Sequence, residues 1–121
     1  MNERAALTAR RETWLWVAQR ASAAVLALCV VVHLATMIYA IRGGLTAAEI
    51  LGRTRGNAAW LSFYSLFVAA VTVHLPIGLR PVLAEWFGWR GASRDAALLG
   101  FAVLLAVLGA RAVLGVYTGG A

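Results

Sequence analysis

The sequence is poor in charge and in reactive side chains. Of its 121 residues only 13% are charged, about half the fraction that a soluble domain carries, and none of the eleven basic residues is lysine. Cys29 is the single cysteine, which excludes a disulfide within the chain. No segment between the apolar runs is long enough for a soluble catalytic domain. The chain alone is therefore not expected to be an enzyme.

Long apolar runs are what the sequence has in abundance. The residues are 62% hydrophobic, and uncharged intervals cover Ala21 to Ile41 and Gly56 to Leu79, while Arg111 is the only charge after residue 95. Each interval reaches the roughly 20 residues needed to cross about 30 Å of hydrocarbon. The first run is too long for a signal-peptide core and lacks a small-x-small cleavage site, so we interpret it as an anchor. We predict an all-α membrane protein with transmembrane helices at about residues 14–41, 57–80 and 95–117 in one domain, residues 1–121.

The distribution of arginine predicts the orientation and the surroundings. The net charge is +6, but no basic stripe lies on a soluble face, so we expect contact with lipid headgroups and not with nucleic acid. Arginines are concentrated in the N-terminal segment and in the connection between the second and third helices. The positive-inside rule therefore predicts a cytoplasmic N-terminus in a bacterial inner (cytoplasmic) membrane.

Two local signals concern the ends and the interior of the helices. Gly43 and Gly44 predict the end of the first helix, and the spacing of Thr46 and Glu49 is that of a capping box, which predicts a short surface helix after it. Pro76 falls inside the second helix and predicts a kink beside His74, because proline removes a backbone hydrogen bond.

His33 and His74 are the only histidines, and each lies within an uncharged apolar run. An imidazole inside lipid has no water to bind and usually has a partner there. Imidazole is also a common axial ligand of haem iron. Because no C-x-x-C-H motif is present, such a haem would be held by its ligands alone. The alternative is that both histidines only pack between helices and bond to neighbouring backbone or hydroxyl groups.

The depths of the two histidines decide how they could bind haem. His33 lies beyond the middle of the first helix, whereas His74 comes six residues before Arg80 on the helix that returns. At 1.5 Å per residue their heights differ by about 9 to 16 Å. One iron held by both is therefore not expected. We predict two haems, one near each leaflet, whose second ligands come from another chain. The three helices would then form half of a multi-helix haem-binding bundle.

The surroundings of the histidines are small or polar. On the first helix four residues share one stripe with helical spacing: Ser22, Cys29, His33 and Thr36. On the second helix Ala70 and Gly78 lie one turn on either side of His74, which leaves room for a macrocycle or for another helix. Arg20 and Arg80 lie near the predicted cytoplasmic interface. Each is interpreted as a partner of a haem propionate or of a quinone carbonyl, with a snorkelling side chain as the alternative.

Two segments resemble a known family. Gln19-Arg-Ala-Ser-Ala23 resembles the H-R-x-S-G signature of the cytochrome b membrane anchor of succinate dehydrogenase and fumarate reductase. The stretch from His74 to Arg80, followed by Glu85, resembles that family's H-x-x-x-G-x-R with an acidic residue beyond it. The resemblance covers all three helices, and it departs from the family at Gln19, at Ala23 and at Trp16.

The resemblance implies both partners and site residues. It implies a flavoprotein subunit and an iron-sulfur subunit on the cytoplasmic face, with quinone as substrate. The second membrane-anchor chain, a sister subunit or a second copy, follows instead from the unequal depths of the two histidines. His74 matches a haem b ligand, His33 resembles the first-helix histidine of the di-haem anchors, Arg20 matches a quinone-site arginine, and Ser22 lies in the same motif.

We interpret the sequence as a haem b- and quinone-binding anchor subunit of such a complex. Its electrons would pass between the iron-sulfur subunit and membrane quinone. The alternatives are a haem-free structural anchor and a cytochrome b subunit of a different flavin-dependent dehydrogenase.

Overall fold

The computed structural model describes residues 2–120, which form four helices and no strand. They are α1 (Glu3–Arg42), α2 (Ala47–Thr54), α3 (Ala58–Phe87) and α4 (Ala92–Thr118). Three of them, α1, α3 and α4, are long and apolar enough to cross a membrane. The predicted all-α membrane protein with three transmembrane helices is confirmed.

The helix α1 begins well before its predicted membrane span. Asn2 caps it, since the Asn2 side chain accepts a hydrogen bond from the backbone N–H of Ala5 at 2.9 Å. The following residues are mostly alanine, arginine and glutamate, which favour helix in water as well as in lipid. With 40 residues α1 is about 60 Å long, twice the hydrocarbon thickness, so its first turns extend beyond the bilayer.

The short helix α2 begins as its capping spacing predicts. The Thr46 hydroxyl accepts a hydrogen bond from the backbone N–H of Glu49 at 3.2 Å. After α2, Gly56 donates to the carbonyl of Tyr117 at 2.8 Å, and the buried Thr54 hydroxyl donates to the carbonyl of Val116 at 2.9 Å. These bonds satisfy carbonyls that the end of α4 would otherwise leave without partners.

The helix α3 continues through both of its prolines. It includes Pro76 and Pro81 and ends only at Phe87, seven residues beyond the predicted end. Each proline removes one backbone donor, but the residues on either side keep theirs, so the helix persists. Gly88 then takes a left-handed conformation (φ 65°) and donates to the carbonyl of Ala84 at 3.1 Å, which ends the helix.

α3 lies between α1 and α4 and packs against both. The interfaces are formed by small side chains: Cys29 and Ala70 are buried, and Gly109 of α4 lies so close to Val68 of α3 that a Cβ there would overlap it. Most large apolar side chains, such as Leu28 and Leu99, remain exposed. In an apolar bundle these surfaces face lipid or another chain.

Candidate functional site

Ser22 and His74 meet across the interface of α1 and α3. The Ser22 Oγ lies 3.5 Å from Nδ1 of the His74 ring, and the same hydroxyl lies 3.1 Å from the carbonyl oxygen of Gln19. Ser22 is buried, with 7% of its surface exposed, and His74 is half-buried. Within residues 2–120 the other ring nitrogen of His74, Nε2, makes no hydrogen bond. His74 therefore has one nitrogen supported by the protein and one available to a ligand.

The small residues beside His74 serve the approach of α1. A Cβ at Gly78 would stand 2.9 Å from Nε2 of Gln19, so the space at Gly78 is taken by that side chain. Ala70, one turn the other way, is 6% exposed. From the sequence, the small residues are interpreted as room either for a macrocycle or for another helix. At Gly78 the space is occupied by the helix α1, so a macrocycle would lie on the other side of the His74 ring.

His33 lies on the same face of α1, toward the α2 end of the bundle. Its ring meets the rings of Tyr64 and Phe67 edge-on, with centroids 6.0 and 5.7 Å away. Its Nδ1 is buried and has no hydrogen-bond partner in the described chain. His33 is therefore fixed by aromatic packing, whereas a hydroxyl supports the ring of His74.

The two histidines lie at different levels of the bundle. Eleven residues separate His33 from Ser22 on α1, and seven to ten separate His74 from Phe67 and Tyr64 on α3. At 1.5 Å per residue these separations place the levels about 10 to 16 Å apart, in agreement with the height difference expected from the sequence. One iron cannot reach both rings at this separation.

Arg20 is the next residue but one to Ser22, yet it points elsewhere. Its guanidinium carbon lies 5.3 Å from the centroid of the Trp16 ring, a cation–π geometry, and its side chain is exposed. No hydrogen bond or ion pair to the rest of residues 2–120 occupies it. Arg20 is thus a planar donor with all its N–H groups free, beside an aromatic ring and outside the Ser22–His74 contact.

Arg80 lies in a cluster of ion pairs that joins the three long helices. It contacts Glu12 of α1 at 3.1 Å and Asp95 of α4 at 3.3 Å. Asp95 also pairs with Arg94 at 3.0 Å and with Arg11 at 3.6 Å. Two of the donor groups of Arg80 are therefore already engaged by carboxylates. A contact between Arg80 and a propionate stays a prediction.

A cavity of about 510 Å³ lies at the same end of the bundle as this cluster. Trp16, Gln19, Gly78, Glu85 and Arg90 are among the residues that line it. The Oε1 of Gln19 is buried and has no hydrogen-bond partner within residues 2–120. This cavity, called here the Gln19 cavity, has the size of a small-molecule site and an unsatisfied polar atom in its wall.

A second cavity, of about 410 Å³, lies at the α2 end between α1, α2 and α3. Thr36 and Tyr64 line it near the level of His33, and Arg53 lies at its edge, 3.4 Å from the hydroxyl of Tyr39. Its remaining walls are largely apolar.

Sequence reasoning placed the five candidate residues on the right helices but did not group them. The structure brings Ser22 and His74 together, and it leaves His33, Arg20 and Arg80 in three other environments. The partners of Arg80 were missed, although Glu12 and Asp95 are two of only five acidic residues and lie at the same end of the chain's helices. The aromatic neighbours of His33 could not be predicted from the sequence, because nothing in the uniformly apolar α3 marks which of its residues face α1.

No group of three or more His, Cys, Asp or Glu side chains that could hold a metal ion occurs in the part of the chain that the structure describes. Neither a curated protein nor a solved structure matches the chain significantly. A family profile described as the succinate dehydrogenase/fumarate reductase transmembrane subunit matches residues 2–112. This match includes all of α1, α2 and α3 and most of α4. The chain belongs to the family of succinate dehydrogenase/fumarate reductase transmembrane subunits.

Proposed function

We propose that this membrane subunit binds haem b and quinone and carries electrons between an iron-sulfur subunit and the quinone pool. The observation that carries the proposal is the pair of histidines on facing helices at two levels, inside a chain of this family. An axial ligand needs only one free imidazole nitrogen. Nε2 of His74 fits that requirement, because it has no partner within residues 2–120 while Nδ1 is supported.

The proposal includes two haem sites, each completed by another chain. Neither level offers a second histidine, so the opposing ligands would come from a sister anchor or from a second copy. A bound haem would supply one-electron transfer along the membrane normal. His74 would hold the haem at the N-terminal end of the bundle, and His33 the haem toward the α2 end.

Quinone is proposed to bind beside the Gln19 cavity. Arg20 offers free planar donors there, next to Trp16, which lines the cavity. A carbonyl oxygen of a quinone needs such a donor, and the volume of about 510 Å³ is large enough for a quinone ring. The flavoprotein and iron-sulfur subunits would dock at this end. The positive-inside rule would place it on the cytoplasmic side of a bacterial inner membrane.

The haem proposal is tested by spectra of the purified complex. The wild-type complex should show the reduced-minus-oxidised spectrum of six-coordinate low-spin haem b. We expect His74→Ala to remove one haem and His33→Ala to remove the other, because each ring supplies one axial bond. Thr36→Ala serves as a matched control, since its hydroxyl bonds only to the carbonyl of His33.

Three outcomes separate the alternatives. A complex without any haem spectrum would mean a structural anchor in which both histidines only pack. Loss of one haem in His74→Ala with no change in His33→Ala would leave a one-haem subunit. A complex that contains haem but neither oxidises succinate nor reduces fumarate would be identified as that of a different flavin enzyme.

A further inference from the structure

We infer that Ser22 is a positioning residue that fixes the tautomer of His74, with the proton on Nδ1 and a bare lone pair on Nε2. The inference concerns the chain's own hydrogen bonds. It rests on the proposed function only where Nε2 is assigned as the haem ligand.

The first step is the direction of the Ser22 hydroxyl. A serine hydroxyl has one proton and two lone pairs. The Ser22 hydroxyl donates to the Gln19 carbonyl, which can only accept and lies 3.1 Å away, closer than the 3.5 Å to Nδ1 of His74. The site is buried, with Ser22 7% exposed, so water does not compete for that proton. What Ser22 presents to the His74 ring is therefore an acceptor.

The second step is the state of the ring. A neutral imidazole carries one N–H, on either Nδ1 or Nε2. A proton on Nδ1 points toward the Ser22 oxygen, which lies 3.5 Å from Nδ1. A proton on Nε2 has no acceptor within residues 2–120. An unsatisfied donor in an apolar bundle is costly, so the Nδ1–H form is favoured.

The other histidine, His33, lacks such a hydroxyl contact. Nδ1 of His33 is also buried, but no oxygen or nitrogen of the described chain pairs with it. The support by a hydroxyl is therefore particular to His74. In metal sites such a second hydrogen bond orients the ring and raises the basicity of the ligating nitrogen. Of the two histidines, His74 is therefore the one whose ring is oriented by a hydrogen bond and whose Nε2 carries a bare lone pair for a ligand bond.

The tautomer is measured directly by ¹⁵N NMR of the histidine-labelled full chain in lipid bilayers. With only two histidines, the variant His33→Phe assigns both spectra. We expect a protonated Nδ1 and a bare Nε2 for His74, and we expect Ser22→Ala to populate the opposite tautomer. Ser22→Thr keeps a hydroxyl and should preserve the wild-type signals.

Ser62→Ala is the matched control. Its hydroxyl also bonds to its own helix, at 2.8 Å from the carbonyl of Ala58, but it contacts no histidine. The inference is overturned if wild-type His74 is protonated at Nε2, or if Ser22→Ala leaves the His74 signals as they are in Ser62→Ala.

A second readout uses the assembled complex. Ser22→Ala should weaken haem retention about 10-fold or more and raise the midpoint potential of one haem, because a less basic ligand stabilises ferric iron less. Ser22→Thr should restore both. A wild-type complex without haem would refute the proposed function, while the NMR result would still decide whether Ser22 sets the tautomer.

Discussion

At the scale of single residues, hydrogen bonding inside the apolar bundle is uneven. Ser22 lies within hydrogen-bond distance of His74, whereas Gln19, His33 and Thr72 each keep a buried polar atom without a partner within residues 2–120. Such atoms are expensive in an apolar medium and are rarely left alone in a finished assembly. We therefore expect Gln19 and His33 to find partners in a cofactor, a substrate or a neighbouring chain.

Arg20 gives the sharpest prediction at this scale. Removing a charged hydrogen bond costs about 1.5 to 3 kcal/mol, so Arg20→Ala should slow quinone turnover by roughly ten-fold or more. Arg20→Lys should also be impaired, because a point charge does not reproduce a planar fork. The measurement is quinone-dependent electron transfer by the purified complex, with the haem spectrum recorded in parallel.

The control for Arg20 is Arg42→Ala, an exposed arginine in the last turn of the same helix. Retained haem with slow turnover in Arg20→Ala assigns Arg20 to quinone. Loss of haem assigns it to a propionate. Wild-type turnover in both Arg20 variants would mean that the side chain only snorkels.

The sequence identified these residues without identifying their neighbours. Histidine or arginine inside an apolar run is visible in any sequence, because its cost in lipid makes it exceptional. Helix geometry places Arg20 and Ser22, two residues apart, on different faces of α1, but the sequence does not show which face meets α3. The contact of Arg80 with Glu12 and Asp95 joins three helices, and it depends on how those helices pack, which the sequence pattern does not show.

At the scale of elements, the bundle depends on close approach of helices through small residues. The contact of Gly109 with Val68 allows α4 to approach α3 more closely than any residue with a Cβ would permit. Without a hydrophobic driving force between helices in lipid, such van der Waals contacts supply much of the stability.

Gly109→Ala should therefore destabilise the chain. Its Cβ would overlap the Val68 side chain, and overpacking typically costs about 1 to 3 kcal/mol. The free energy of unfolding, measured by titration of mixed micelles with denaturing detergent, should fall by that amount. The higher helix propensity of alanine offsets only about 1 kcal/mol of the cost.

Gly100→Ala is the matched control on the same helix. Nothing lies within 4 Å of a Cβ at Gly100, so this variant gains helix propensity without a clash and should be as stable as the parent or slightly more. Equal free energies of unfolding for the two variants would show that α4 shifts freely and that the Gly109 contact does not hold it.

At the scale of the whole molecule, much of the large apolar surface of the long helices stays exposed. α3 packs against both α1 and α4, and large side chains such as Leu34 and Leu104 remain more than half exposed. The two histidines lie at separate levels with one ring at each level. These features support the proposal that a second membrane chain completes the assembly.

We predict that the purified complex contains this second chain and that each iron takes one histidine from each chain. Native mass spectrometry would show a sister subunit or two copies of the present chain, together with two haems. In a parallel two-fold pair, His33 would face its counterpart at one level and His74 at the other. A structure with one iron bound by both His33 and His74 of a single chain would contradict the prediction.

The sequence by itself determined the membrane class, the number of spanning helices, the short capped α2 and the separation of the histidine levels. Each follows from one-dimensional quantities: the length of uncharged runs, the spacing of a cap, and a fixed rise per residue. Only the tertiary structure decided that α3 lies between its neighbours, that Ser22 faces His74 and that Gln19 fills the space at Gly78. In a uniformly apolar helix no hydrophobic face marks the inside. The rotation of each helix is therefore set by the fit of particular side chains against its neighbours, which hydropathy does not encode.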